Sequence, residues 1–137
     1  MANRTGSHNL AVLADRSFEH HGDYESLHFE GVWHRSGALF DRSRGLAAGF
    51  ERLGIEPGDR VVVLMSNTPD VGVAYTALWR AGAVITPLIF LVGPDELRRV
   101  VDHSEARAVV TSAEFLPSVT GAVAGLGSVR HLSLIHI

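Results

Sequence analysis

The chain has 137 residues, of which 46% are hydrophobic and 20% charged, with a net charge of −3 and no cysteine. Such a length is one domain or part of one, and the composition is that of an ordinary globular chain and not of a disordered one. The acidic balance argues against a nucleic-acid partner, which needs a clustered cationic surface, and the lack of cysteine excludes disulfides, thiolate nucleophiles and cysteine-ligated zinc.

In chain order, Met1 to Ser7 is polar and expected to fray. Asn9 is placed to cap a short helix, with Leu10, Leu13 and Ala14 on one face, before His20 to Asp23 breaks it. Tyr24 to Phe29 and Val32 to His34 flank Glu30-Gly31, the pattern of a small antiparallel hairpin. Leu39, Leu46, Phe50 and Leu53 then make a helical stripe, with Ser36 as the expected cap and Asp41, Arg42, Arg44 and Glu51 toward solvent.

The stretch Leu53 to Leu88 reads as a complete strand–helix–strand unit. Gly54 closes the preceding helix, and Pro57-Gly58 supplies a tight turn. Val61 to Met65 is an unbroken apolar run, as expected of a strand covered on both faces. Ser66, Asn67 and Thr68 offer capping oxygens and Pro69 fits a first helical turn. Val71, Ala74, Tyr75 and Leu78 recur at i, i+3, i+4 and i+7, one buried helix face. Gly82 ends that helix; the next strand is expected from Ala83 to Thr86, stopped by Pro87.

Gly93-Pro94-Asp95-Glu96 is a further helix entry, with Leu97, Val100 and Val101 inward. Ala108 to Thr111 is a third strand, Ser112 caps a helix running to about Gly125, and Val129 to Leu132 is a fourth strand. From Val61 the order is β-α-β-α-β-α-β, an α/β fold with a mostly parallel, Rossmann-like sheet and flanking helices, preceded by a helix and a small hairpin.

No motif in this order carries complete chemistry. The eight histidines include the adjacent pair His20-His21, which cannot face one ion from a regular element, so no metal ligand is assigned. Asp102-His103-Ser104 contains the letters of a hydrolase triad, but three consecutive helical residues point in three directions. The glycines Gly121, Gly125 and Gly127 fall toward the end of a helix instead of opening one, so they read as a helix stop and not as a dinucleotide turn. Met65 and Trp79 read as packing residues. All 12 basic residues are arginine, which rules out a Walker-type lysine or a Schiff base within this chain. The N-terminal residues contain no apolar core of signal-peptide length, and the longest apolar run, Ala83 to Val92, is too short to span a bilayer. The expectation is a cytoplasmic protein without a transmembrane segment.

Three passages, NLAVLAD, LAAGFERLGIEPGDRVVVLMSNTPD and LWRAGAVITPLIFLVGPDELRRVVDHSEARAVVTS, resemble in order and spacing the N-terminal region of the AMP-forming synthetases, across Asn9 to about Leu116. The family includes acyl-CoA synthetases, peptide-synthetase adenylation domains and luciferases. A departure falls at Ser36 and Ala38, where the family usually has an aromatic and a glutamate. The resemblance implies ATP-dependent activation of a carboxylic acid to an acyl-adenylate, then transfer to a thiol, commonly coenzyme A, with ATP, Mg2+ and coenzyme A used by the full-length parent. PLIFLVGPDEL looks closer to the fatty or aromatic acyl-CoA branch.

The family's phosphate loop ending in a lysine and its C-terminal lysine have no counterpart here, so the resemblance implies an N-terminal fragment that is inactive alone. No catalytic, cofactor-binding or metal-ligating residue is carried over. Asn67 and the loop Phe90 to Pro94 are expected at C-terminal strand ends, where open α/β sheets place ligands, with structural roles. The last six residues, LSLIHI, resemble a translated sequencing adapter; residues 1–131 are therefore expected to be the truncated synthetase domain and 132–137 a non-native tail. A fragment of this kind should leave apolar surface uncovered. Two rival readings share the element order: a complete, non-enzymatic flavodoxin-like module that binds a ligand or partner, and a truncated amino-acid-activating adenylation domain.

Overall fold

Val61 to Met65 is the longest unbroken buried run among the described residues, each residue at 5% exposure or less, and the computed structural model shows why. It describes residues 8–134; the segment expected to fray, Met1 to Ser7, and residues 135–137 of the expected tail lie outside them. Strand β3 (Arg60–Leu64) is internal to a four-stranded parallel sheet with β4 (Val84–Leu88), β5 (Ala108–Thr111) and β6 (His131–Leu134), in the order β4-β3-β5-β6. Its side chains alternate between two cores. Val61, Val63 and Met65 pack with Phe50, Ile55, Ala74, Ala77 and Leu78, while Val62 and Leu64 pack with Leu97, Val101, Val109, Val119 and Ala122. Three layers result: helices α2 (Ser36–Arg52) and α3 (Pro69–Arg80) on one face, and α4 (Pro94–His103) and α5 (Leu116–Val123) on the other. The expected α/β class, parallel sheet and alternation of strands and helices from β3 onward are those observed.

Helix α1 (Leu10–His21) and the hairpin of β1 (Glu25–Phe29) and β2 (Val32–Arg35) precede this unit. Asn9 caps α1 as expected, accepting from Ala11 N–H at 2.7 Å, and its Nδ2 donates to the Trp79 carbonyl at 2.7 Å. The inward face is not the expected one. Leu10 and Leu13 are 49% and 63% exposed; Ala11 is buried and Phe18 stacks on Phe40 at 4.4 Å. Arg80 ties α3 to both neighbouring helices, with Nη1 2.6 Å from Asp15 Oδ1, Nε 3.2 Å from Ser43 Oγ and its guanidinium 4.6 Å from the Phe40 ring centre.

Four further boundaries differ from the sequence reading. Ser36 does not cap α2: it is the first helical residue, its hydroxyl accepting from Tyr24 N–H and donating to the Gly22 carbonyl, both at 3.0 Å. The cap comes from outside the helix, where Asp23 Oδ1 accepts from Gly37 N–H at 2.9 Å. Leu53 leaves the buried stripe as the C-terminal cap residue of α2 and is 45% exposed. Pro87 does not stop β4, which runs through it to Leu88, because β4 is an edge strand among the described residues and a missing N–H is tolerated there. Strand β6 begins at His131 instead of Val129. Arg42, expected in solvent, pairs with Asp70, whose side chain is almost wholly buried at the start of α3.

The Asp23 cap carries a pH dependence. Its hydrogen bond from Arg35, at 2.7 Å, and that from Gly37 hold the carboxyl below its ordinary value of 3.8. A depressed carboxylate stabilises the fold fully above its ordinary value, and that contribution is lost as pH falls through the lowered one. Protection of the Tyr24, Ser36 and Gly37 amides against exchange, relative to their intrinsic rates, is expected to fall on acidification below about pH 4, and Asp23→Asn should remove this local dependence. An unchanged profile in the variant would contradict the cap.

Candidate functional site

Open α/β sheets bind ligands beyond the C-terminal ends of their strands, and here those ends form a level rim. Leu64 lies in register with Leu88 on one side and Thr111 on the other. The buried Thr111 hydroxyl donates to the Leu64 carbonyl at 2.8 Å, closing the last rung between β3 and β5. Past that rung, each strand turns out of the sheet through a short polar or apolar segment that meets the others at the rim.

Three groups lie there. After β3, the Ser66 hydroxyl donates to Glu114 Oε1 at 2.5 Å; after β5, the Ser112 hydroxyl bonds the same oxygen at 3.2 Å. After β4, the loop exposes Ile89 (64%) and Leu91 (76%), and Phe90 stacks on Phe115 with ring centres 5.9 Å apart. Asn67 is exposed beside Ser66. The sequence pattern places Asn67 and the loop Phe90 to Pro94 at these ends, but reads Ser66 as a helix cap and Ser112, with Glu114 and Phe115, as a helix opening. What joins Ser66, Ser112 and Glu114 is the pairing of β3 with β5, which spans 48 positions between Ser66 and Glu114.

Chemically, the rim offers a carboxylate held by two hydroxyls and an aromatic–aliphatic wall. Among the described residues no cation joins it, and its one carboxylate is shared between the two hydroxyls, so this arrangement can position a ligand but lacks a complete catalytic set. A second concavity, a largely apolar cleft of about 290 Å³ among α1, the hairpin, α2 and α3, is walled by Phe18, Leu27, Leu39, Phe40 and Val73. No charged side chain lines it, so it offers packing space without acid–base groups.

The other singled-out residues do not converge. His20 and His21 pack edge to face at 4.5 Å on an exposed turn of α1. Asp102 and His103 are exposed, and the Ser104 hydroxyl donates to the Val101 carbonyl at 3.1 Å. Gly121 lies within α5, and Gly125 has φ +77° just past its end. Met65 is in the core, and Trp79 lies 6.2 Å from Tyr75, whose phenol is pushed up by burial. Among the described residues, no three histidine, aspartate or glutamate side chains come together as a metal site. Nor is any helix there long and apolar enough to cross a membrane.

Residues 14–136 match the family model of the AMP-binding enzymes. A crotonobetaine/carnitine–CoA ligase from Salmonella paratyphi A is 30% identical over 117 residues, 82% of this chain and 23% of that protein. A 4-coumarate–CoA ligase from Humulus lupulus is 32% identical over 88 residues, 64% of this chain and 16% of that protein. The crystal structure of a benzoate CoA ligase from Burkholderia xenovorans LB400 superposes with a TM-score of 0.85 at 26% identity, over 95% of this chain and 26% of that one. The chain thus spans less than a quarter of the length of these two curated relatives.

Proposed function

The chain belongs to the AMP-binding enzyme family, and on that premise we propose that it is the opening part of an ATP-dependent acid–thiol ligase. In the whole protein, a carboxylate oxygen attacks the α-phosphorus of ATP, the bond to the β-phosphate breaks, and an acyl-adenylate and pyrophosphate result. The coenzyme A thiol then attacks the acyl carbon, loses its proton and displaces AMP. The observation that carries this reading is the likeness to CoA ligases along nearly the whole chain, in sequence and in fold.

Within that scheme this chain supplies scaffold. The level rim of β3, β4 and β5 provides one wall of a ligand site, with the Phe90–Phe115 stack suited to an acyl or aryl group. The described residues do not converge as a Mg2+ site, and none is assigned to that ion. The division at residue 131 and a cytoplasmic location remain part of the proposal; reading the genomic locus past codon 131 and fractionating cells with a tagged full-length protein test them.

The test of function is the full-length enzyme, recovered from that locus. With acetate, benzoate, 4-coumarate and a long-chain fatty acid offered in turn, at least one should drive ATP–pyrophosphate exchange and form a coenzyme A thioester. A folded full-length protein that exchanges with none of them overturns the proposal. Exchange with amino acids and no thioester with coenzyme A transfers it to the amino-acid-activating branch.

A further inference from the structure

We propose that the cleft at the opposite end of the sheet, where β3, β5 and β6 begin, binds a phosphate group. Arg60, Arg107 and Arg130 enter these three adjacent strands side by side: Arg107 N–H donates to the Arg60 carbonyl at 2.8 Å and Arg130 N–H to the Arg107 carbonyl at 2.9 Å. Residues in register on neighbouring strands project to the same face of a sheet. Two positions on, Val62 and Val109 face α4 and α5, so the three guanidinium groups share that face. Like charges on adjacent strands repel, and the chain itself relieves this only in part. Arg60 is held by Glu105 at 2.7 Å and by the Ser104 carbonyl. Asp59 also lines the cleft, but one oxygen of its carboxylate already accepts from Glu56 N–H at 2.8 Å. Among the described residues, Arg107 and Arg130 have no carboxylate partner, and Arg107 Nε is buried and hydrogen-bonded to nothing.

These groups, with Gly127 and Ser128, line a polar cleft of about 250 Å³. A guanidinium fork pairs bidentately with a carboxylate or a phosphate, but two forks beside each other can engage more oxygens on a tetrahedral phosphate than the two that a carboxylate offers. The cleft is separated from the rim by the length of the strands, so it is independent of the ligase reading.

The test is an amide NMR titration of the 15N-labelled chain with inorganic phosphate, with glycerol 3-phosphate and with acetate at fixed ionic strength. The signals of Arg107, Gly127 and Ser128 should shift saturably with either phosphate and not with acetate. Tighter binding of glycerol 3-phosphate identifies a phosphate ester as the ligand and tighter binding of inorganic phosphate the free ion; equal binding shows that the cleft recognises the phosphoryl group alone. Arg107→Gln and Arg130→Gln should each weaken binding about tenfold or more, while Arg16→Gln, an exposed arginine of α1, leaves it unchanged. Arg130 is exposed, so its variant keeps the test standing if Arg107→Gln fails to fold. No saturable shift up to about 20 mM phosphate, or equal shifts in all variants, overturns the proposal.

Discussion

Phe50→Ala is expected to cost about 3–5 kcal/mol of folding free energy, the range for removing a fully packed phenyl ring. Phe50 is 2% exposed and lies where α2 meets the sheet, in one cluster with Ile55, Val61, Ala74 and Leu78. Its neighbours are largely alanine and valine on rigid elements, which relax little toward a void, so the cavity term adds to the lost transfer energy. Leu53→Ala is the matched control. The sequence pattern places both residues on one stripe, but Leu53 is 45% exposed past the end of α2, so its loss should stay below about 1 kcal/mol. Urea unfolding of both variants measures the difference. Similar losses would mean that α2 docks with a different face toward the sheet.

The second expectation concerns chemistry. The 137-residue chain should give ATP–pyrophosphate exchange at the level of a no-enzyme control with every carboxylic acid tried. Stabilising charge on a transferring nucleotide needs preorganised cations or amides aimed at its phosphates. At the rim the Glu114 carboxylate, engaged by Ser66 and Ser112, repels a polyphosphate. The lysines that the family resemblance assigns to phosphate binding and carboxylate polarisation have no counterpart among 12 basic residues that are all arginine. Acid-dependent exchange from the purified chain, abolished by dialysis of the acid and restored by its return, would sink this expectation. It would also require a catalytic group that the rim geometry does not display.

Local patterns carried much of the fold because several elements here are specified by their own residues. Val61 to Met65 announces a doubly covered strand through unbroken apolar character, and Glu30-Gly31, Pro57-Gly58 and Gly82 mark turns through the backbone angles they allow. Patterns failed where a distant partner decides the outcome. Leu10 and Leu13 have helical spacing, yet the surface that α1 meets is Phe40 and Arg80, which favours the stripe through Ala11, Asp15 and Phe18. The sequence pattern gives α3 a buried face of Val71, Ala74, Tyr75 and Leu78; Ala77 joins the sheet core too, and Asp70 and Val73 are buried as well because α1 and α2 also pack on α3. Ser36 looked like a cap because its residue type suits one, but Asp23, thirteen positions earlier, occupies that role through the hairpin fold. The rim was legible only as two loops. Glu114 joins Ser66 once β3 and β5 are neighbours, a pairing that skips β4 and leaves no local trace in the sequence.

Pro87 bears on more than where β4 ends. The outer margin of that strand offers its backbone to whatever chain approaches, and Val84 adds a half-exposed apolar side chain there. A foreign segment that began to zip alongside would meet a proline with no hydrogen to give, opposite the middle of β3. Fibril-type propagation depends on an unbroken run of donors and acceptors along such a margin. One imino acid therefore acts as a guard against templated aggregation while costing the native sheet none of its internal rungs.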